Sequence, residues 1–176
     1  MFPCSSCPVR SGFRLALASA VLVLAGCGKS EFHKVYPVTG KILVDGQPAA
    51  ACLIYLNRTF DDDHPRRVTP YAVTEANGEF QITSYITNDG APEGEYVVTI
   101  EWRERSGLLK NNFEGIDRLD GAYAKVSNNK ALPGFVIKVG REPLELPAFN
   151  LAQSAEAKRK HEAWKKRKPA PLGSGD

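Results

Sequence analysis

Apolar and polar side chains alternate most clearly over residues 94–102. There Tyr96, Val98 and Ile100 occupy one face of an extended chain and Thr99 occupies the other, as expected for a half-buried strand. Other short stretches rich in β-branched and aromatic residues predict six further strands. These lie at 38–44, 51–56, 71–74, 80–83, 135–139 and 144–151.

Turn dipeptides separate these strands. Asp45-Gly46 ends the first strand, and Asn77-Gly78 lies between two of the others, where it is a strong hairpin signal. Pro147 makes the last strand an edge or bulged strand, because proline cannot donate to a β-ladder. No long helical periodicity interrupts the strands. The pattern therefore predicts an all-β chain folded as a single antiparallel β-sandwich.

The polar connection 103–130 is long for a compact domain. Within it, Ile116, Leu119 and Tyr123 fall at helical spacing, which predicts one or two helical turns that cover the sandwich. Long loops on a rigid scaffold usually carry recognition. We therefore predict that this connection and the 57–70 loop present the contact surface.

A short apolar run at residues 15–24 precedes the strands. Arg10 and Arg14 supply positive charge before and at its start, and no acidic residue occurs upstream of residue 27. Ten residues are too few to span a bilayer core as a helix, which takes about 20. A basic head and a short apolar middle are typical of a secretory signal. The alternative interpretation of the apolar run at 15–24 is an N-terminal helix buried in the core.

The run ends in a lipobox, the motif that bacterial lipoprotein processing recognises. Its residues are Leu24, Ala25, Gly26 and Cys27. This predicts a cleaved signal peptide at 1–26, with a lipidated Cys27 and a tether at 27–35. The lipid would attach the chain to a membrane. Gly28, rather than Asp, follows the cysteine, which favours the outer membrane over the inner one.

Cleavage before Cys27 would determine which cysteines remain in the mature chain. Cys4 and Cys7 leave with the signal, so Cys52 is the one remaining thiol and no internal disulfide is expected. Cys52 lies in an apolar strand, where a buried small hydrophobe is the usual role. A reactive thiol would need a depressed pKa and a suitable partner, and no motif supplies one.

Charge is distributed unevenly along the chain. The sequence has 23 basic and 20 acidic residues, and the 153–176 tail holds 7 of the basic and 3 of the acidic ones. A nucleic-acid binder would carry its basic patch on the fold, so nucleic acid is not an expected partner. The tail is interpreted as disordered or as a marginal helix with Trp164 as its only aromatic residue. It is a candidate for contact with an anionic lipid or polymer of the envelope.

One cluster has metal-ligand chemistry. Asp61, Asp62, Asp63 and His64 are consecutive, and hard oxygen ligands suit Ca²⁺. Consecutive residues of an extended segment point to opposite sides, however, so a solvated acidic loop is favoured. No metal and no cofactor are predicted.

Three segments in this order resemble a known domain. They are VTGKILVDGQP at 38–48, VTEANGEF at 73–80 and GEYVVTI at 94–100. Together they resemble the carboxypeptidase regulatory-like domain, also called transthyretin-like or prealbumin-like, of small bacterial lipoproteins. The resemblance implies a seven-stranded Greek-key sandwich at 36–152 and no enzymatic activity.

Enzymes and isopeptide-linked domains of related folds depend on particular residues. A hydroxyisourate hydrolase uses several histidines, and an intradiol dioxygenase uses two Tyr and two His. In this chain His33 lies in the tether and His161 lies in the tail, so they are not expected to share a pocket. Collagen-adhesin domains join a Lys to an Asn by an isopeptide bond, for which Lys41 and Asn150 are the nearest equivalents. Neither reading is favoured.

We therefore expect a lipid-anchored, non-enzymatic envelope protein whose sandwich binds or scaffolds other envelope proteins or polysaccharide. One alternative is a carbohydrate-binding module, in which exposed aromatic rings stack on sugars. Its candidate rings are Tyr71, Tyr85, Phe113 and Tyr123. Two further interpretations are an accessory subunit with an apolar docking patch and a small hydrolase-like enzyme of the transthyretin fold.

Overall fold

The computed structural model describes residues 32–61, 66–106 and 112–167. Within them the chain is mostly β-strand with few helices, so the fold is all-β. The strands, in chain order, are β1 (Val35–Tyr36), β2 (Val38–Val44), β3 (Gln47–Pro48), β4 (Cys52–Arg58), β5 (Tyr71–Val73), β6 (Glu79–Gln81), β7 (Ala91–Pro92), β8 (Gly94–Trp102), β9 (Glu104–Ser106), β10 (Asn112–Glu114), β11 (Val136–Val139), β12 (Leu144–Glu145) and β13 (Phe149–Leu151). The helices are α1 (Val126–Asn129) and α2 (Ala155–Arg167).

Two main sheets share one hydrophobic core. The first is antiparallel, with strand order β11-β8-β4-β5. The second is built on β2, which pairs with β12 and β13 along one edge and with β3 and β6 along the other. Ile42 from the second sheet and Ile54 and Ile100 from the first are fully buried in this core. Each stretch with strand periodicity therefore contributes a strand whose apolar face is covered by the opposite sheet.

The second sheet is mixed, which corrects the prediction of a purely antiparallel sandwich. Both β12 and β13 run parallel to β2. The reason is where β11 ends: Val139 pairs with Gly94 at the start of β8, and the chain then pairs Leu144 with Val38 at the start of β2. The connection from Val139 to Leu144 is short and brings the chain to the start of β2. From there, β12 can pair with β2 only by running in the same direction as β2. The predicted last strand is divided around Pro147 into β12 and β13.

The 103–130 connection differs from the expected helical cover. It forms the β9–β10 hairpin, then turns, and only then the four-residue helix α1. Leu119 is nevertheless buried in the core and Tyr123 packs against it, whereas Ile116 is partly exposed. Turns suffice here because Asp117 accepts hydrogen bonds from the backbone N–H groups of Trp102, at 2.8 Å, and Leu119, at 3.0 Å.

Within the basic tail, α2 packs against the sandwich. The Ser154 hydroxyl accepts a hydrogen bond from the Ala157 N–H at 3.0 Å and caps the start of α2. Ala157 and His161 are buried under the helix, and His161 stacks on Trp164 with ring centroids 6.0 Å apart. The sequence left open a disordered tail or a marginal helix, and residues 155–167 form a helix that packs on the sandwich.

None of the helices in the described part of the chain is long and apolar enough to cross a membrane.

Candidate functional site

The residues on which the lipobox prediction depends lie outside the described residues. They are Leu24, Ala25, Gly26 and Cys27. The described chain begins at Phe32, five residues after Cys27, and from there it is in contact with the sandwich. The structure therefore gives the geometry of the segment that would follow a lipidated cysteine.

Phe32 and Tyr85 fix the start of the described chain to the sandwich. Their rings meet edge to face with centroids 4.9 Å apart, and the Arg66 guanidinium lies 4.8 Å from the Phe32 ring centroid. The His33 N–H donates to the Tyr85 hydroxyl at 3.3 Å, and that hydroxyl donates to the Arg66 carbonyl at 3.4 Å. Each contact is weak alone, but together they restrain the chain five residues after Cys27.

The loop that carries Tyr85 is itself ordered by Asp89. Its carboxylate accepts hydrogen bonds from the backbone N–H groups of Ser84 at 2.7 Å, Tyr85 at 3.0 Å and Ile86 at 2.9 Å. The turn leaves Ile86 73% exposed beside the Phe32 contact. An ordered loop thus presents an apolar side chain next to the place where the chain enters the sandwich.

Gly90 permits the next contact, the β1–β7 ribbon. Val35 and Tyr36 pair with Pro92 and Ala91. A Cβ on Gly90 would lie 1.9 Å from the Tyr36 carbonyl oxygen, and the φ of Gly90 is +99°. Only glycine fits this approach and this backbone conformation. We call this end of the sandwich, with Phe32, Tyr85 and the β1–β7 ribbon, the entry end.

The 57–70 loop also lies at the entry end. Arg58 pairs with Tyr96 near the start of β8, and the Phe60 ring lies 6.4 Å from the Tyr96 ring, centroid to centroid. A cavity of about 310 Å³ opens here between Arg58, Phe60 and Asp61 on one side and Arg67 on the other. Its lining is mixed in charge and has no cluster of acids.

The predicted metal candidates are not brought together by the described residues. Asp61 is exposed, and Asp62, Asp63 and His64 lie outside the described part. Within 32–61, 66–106 and 112–167, no three His, Cys, Asp or Glu side chains converge as a metal site requires.

The opposite end of the sandwich carries α2, and we call it the helix end. Lys158 Nζ lies 2.8 Å from Asp45 Oδ2, beyond the end of β2, and Lys160 Nζ lies 2.7 Å from Asp120 Oδ2. The hydrogen bond from Lys158 holds the pKa of Asp45 below its usual value, and Asp120, with Glu156, raises the pKa of Lys160. Because the folded pKa of Asp45 is lowered, its stabilising contribution is present above the unfolded pKa of about 3.9 and is lost as the pH falls further.

The position of the last turns of α2 follows from its contacts with the 115–120 segment. Trp164 packs against Gly115, where a Cβ would lie 2.5 Å from the indole. The Gly115 carbonyl accepts a hydrogen bond from the Arg103 guanidinium at 3.0 Å, beyond the end of β8. Since Trp164 lies at Gly115, and Gly115 is bonded to Arg103 just beyond the end of β8, the last turns of α2 lie at the helix end.

The two ends are well separated. β8 runs from Gly94 at the entry end to Trp102 at the helix end, and a strand advances about 3.3 Å per residue, so they lie roughly 26 Å apart. The entry segment and the C-terminus of α2 are therefore on opposite sides of the domain.

Two surface grooves lie along the second sheet. The larger, about 530 Å³, is open and lined by Lys41, Glu75, Glu79 and Glu145 beside the apolar Leu146. The smaller, about 280 Å³, is lined mainly by apolar residues. Those that define it are Tyr123, Leu132, Phe135, Phe149 and Leu151.

Lys41 and Asn150 take different partners. Lys41 Nζ lies 3.6 Å from Glu79 Oε1, whereas Asn150 Oδ1 accepts a hydrogen bond from the Gly46 N–H at 3.3 Å. This geometry does not bring the amine and the amide together for an isopeptide bond.

The four rings considered for sugar stacking contact different elements. Tyr71 is exposed on β5, Tyr85 meets Phe32, Phe113 is on the β9–β10 hairpin, and Tyr123 stacks on Phe135 with centroids 5.6 Å apart. They do not form one flat row.

Cys52 is fully buried between the sheets. Its N–H donates to the Thr74 hydroxyl at 2.8 Å. Burial raises the pKa of the Cys52 thiol to about 12, with a smaller opposing effect from Thr74. Such a thiol is neither a nucleophile nor a metal ligand at neutral pH.

We expect Cys52 to resist alkylation by iodoacetamide at pH 8 in the folded protein, because only about one thiol in ten thousand would be ionised and none is accessible. The measurement is peptide mass spectrometry of the Cys52 peptide after brief labelling, with and without denaturing urea. Urea should make labelling complete. Equal labelling with and without urea would show that Cys52 is not buried.

Some contacts at the two ends were missed by the sequence analysis. Phe32, Tyr85 and Arg66 are far apart in sequence and belong to no motif. The burial of His161 could have been predicted from the sequence. Ala157, His161 and Trp164 are spaced i, i+4 and i+7, which places them on one helix face.

Comparisons with known proteins give only distant similarities. No protein-family model matches the sequence, and no curated protein does. A 5-hydroxyisourate hydrolase from Klebsiella pneumoniae is 18% identical, with 69% of this chain and 90% of that chain covered and a TM-score of 0.34. The dioxygenase domain of a dioxygenase carbohydrate-binding protein fusion from Streptomyces sp. SirexAA-E is 14% identical, with 72% and 84% covered and a TM-score of 0.35.

A DUF3823 family protein from Parabacteroides merdae is 13% identical, with 69% of this chain covered and a TM-score of 0.30. The match spans 46% of that protein's chain. At these identities and TM-scores, none of the similarities assigns an activity or a family to this chain.

Proposed function

We propose that this chain is a lipid-anchored, non-enzymatic protein of the bacterial cell envelope whose transthyretin-like sandwich acts as a binding or scaffolding module. In this proposal residues 1–26 are removed as a signal peptide and Cys27 carries the lipid. The body at 36–152 is the module, and the 153–176 tail contributes α2.

The observation that carries the proposal is the short, restrained distance between the lipobox and the sandwich. Phe32 is already packed on Tyr85, and five extended residues reach at most about 17 Å. A lipid on Cys27 would therefore hold the entry end close to the headgroups. Exposed Ile86, with Phe32 and Arg66, supports this orientation, because apolar and basic side chains both favour a lipid interface.

A non-enzymatic role is supported by the placement of the reactive residue types. Cys52 is buried with a raised pKa. His33 is at the entry end and His161 under α2 at the helix end, so these two cannot share a site. The distant similarity to the hydrolase and the dioxygenase named above does not carry their chemistry to this chain.

We expect Cys27→Ser to abolish metabolic labelling with palmitate. Without the thiol there is no site for the lipid, while the sandwich lies outside the altered segment and should fold unchanged by circular dichroism. The matched control is Cys52→Ala, which also removes one cysteine and should keep both labelling and membrane association. Labelling that survives in Cys27→Ser would refute the anchor.

A further inference from the structure

The C-terminal end of α2 carries a compact basic surface. Lys165, Lys166 and Arg167 are consecutive and exposed, and we call them the basic tip. Glu162 lies 3.2 Å from Lys165 Nζ and offsets part of this charge. Basic residues in the last turn are also favoured by the helix dipole, so the tip is compatible with a stable helix.

The helix that bears the basic tip has no apolar face left for a bilayer. Ala157 and His161 are buried against the sandwich, and Trp164 packs on Gly115. Helices that lie in a membrane interface insert an apolar face between the headgroups. Here that face is already used for docking, so the basic tip is available for electrostatic contact only.

Ion pairs fix the orientation of the basic tip. Lys158 with Asp45 and Lys160 with Asp120 hold α2 against the helix end. The tip directly follows Trp164, which packs on Gly115, so the tip also lies at the helix end. A membrane that held the entry end would therefore lie on the opposite side of the domain from the tip.

We propose that the basic tip binds an anionic polysaccharide on the side of the domain that faces away from the anchoring membrane. Lys and Arg side chains pair with the carboxylate or phosphate groups of such a polymer through charge-assisted hydrogen bonds. With the lipid at one end and the basic tip at the other, the domain bridges a membrane and a polymer. This inference depends on the lipid anchor proposed above for its orientation, but not for the binding itself.

The test uses the full chain in neutral detergent and beads that carry polygalacturonate, phosphorylated dextran or neutral dextran. The variant Lys165→Gln, Lys166→Gln, Arg167→Gln should bind the anionic beads at least tenfold more weakly. The slope of log affinity against log salt should fall in magnitude by roughly 2, as expected for three lost charge contacts. Comparison of the two anionic beads shows whether carboxylate or phosphate is preferred.

The matched control removes three exposed lysines elsewhere, through Lys125→Gln, Lys130→Gln and Lys138→Gln. It changes net charge equally and should alter affinity less than twofold. Equal losses in both triple variants would overturn the proposal, because binding would then follow net charge alone. It would also be overturned if the wild-type chain bound neither anionic bead, or bound phosphatidylglycerol vesicles through the tip but not the beads.

A second arm separates this proposal from the anchor. Phosphatidylcholine vesicles that carry the wild-type chain should be captured by anionic beads, and vesicles with the tip variant should not. Cys27→Ser produced from residue 27 onward, without the apolar run at 15–24, should bind the beads without capturing vesicles. If this shortened variant still captures vesicles the anchor is wrong, whereas failure of the wild-type chain to bind beads overturns the polysaccharide proposal alone.

Discussion

Replacing Asn129 with aspartate is expected to destabilise the folded chain by roughly 3–5 kcal/mol. Asn129 is fully buried, and its amide donates to the Val98 carbonyl at 2.8 Å and to the Tyr123 carbonyl at 2.7 Å. A carboxylate has no donor and would place a buried negative charge against two carbonyl oxygens. Urea denaturation at pH 7 measures the loss.

The neighbouring residue supplies the control for this prediction. Asn128 is exposed, so Asn128→Asp makes the same chemical change with an expected cost within about 0.5 kcal/mol. Burial raises the pKa of a carboxyl group, so the deficit in Asn129→Asp should be full at neutral pH and should shrink as the pH falls through that raised pKa. Equal stability of the two variants would show that the Asn129 contacts do not hold the 121–130 segment to β8.

Replacing Gly90 with alanine is expected to cost about 2–4 kcal/mol, measured by urea denaturation. The new methyl group would lie 1.9 Å from the Tyr36 carbonyl oxygen, and the φ of +99° is strained for any other residue. Because the clash involves backbone rather than a flexible side chain, the β1–β7 ribbon must separate to relieve it. Faster hydrogen exchange of the Tyr36 amide should accompany the loss.

Gly134→Ala isolates the clash from the backbone strain. Gly134 has a φ of +79°, but a Cβ there would meet nothing within 4 Å. Strain alone should cost about 1 kcal/mol. If Gly90→Ala costs no more than Gly134→Ala, the close approach of the ribbon to Gly90 contributes nothing to stability.

Strand positions could be predicted from the sequence because alternation is a local property. The stretches 38–44 and 94–102 coincide with β2 and β8, since a buried face requires an apolar side chain at every second residue. Pairing direction could not be predicted in this way. β12 and β13 run parallel to β2 because of where β11 ends, which depends on the path of the whole chain.

The docked helix shows a different limit of sequence reasoning. Ala157, His161 and Trp164 do not form a strongly apolar set, yet they are sufficient once Gly115 leaves room for the indole. Whether a weak face docks depends on the shape of its partner surface. The predicted lipobox, by contrast, is a contiguous sequence pattern, and such a prediction does not depend on the fold. The Phe32, Tyr85 and Arg66 contacts join residues that no local pattern connects.

The parallel pairing of β2 with β13 has a mechanical consequence. The chain enters at the start of β2, and it leaves from the end of β13 at the other side of the domain. In the proposed bridge, tension between the membrane and the polymer would pull these two strands past one another lengthwise. Phe149–Leu151 and its partner residues on β2 would then be loaded together in shear, and their hydrogen bonds would not break one pair at a time. This pairing would allow the proposed bridge to carry load.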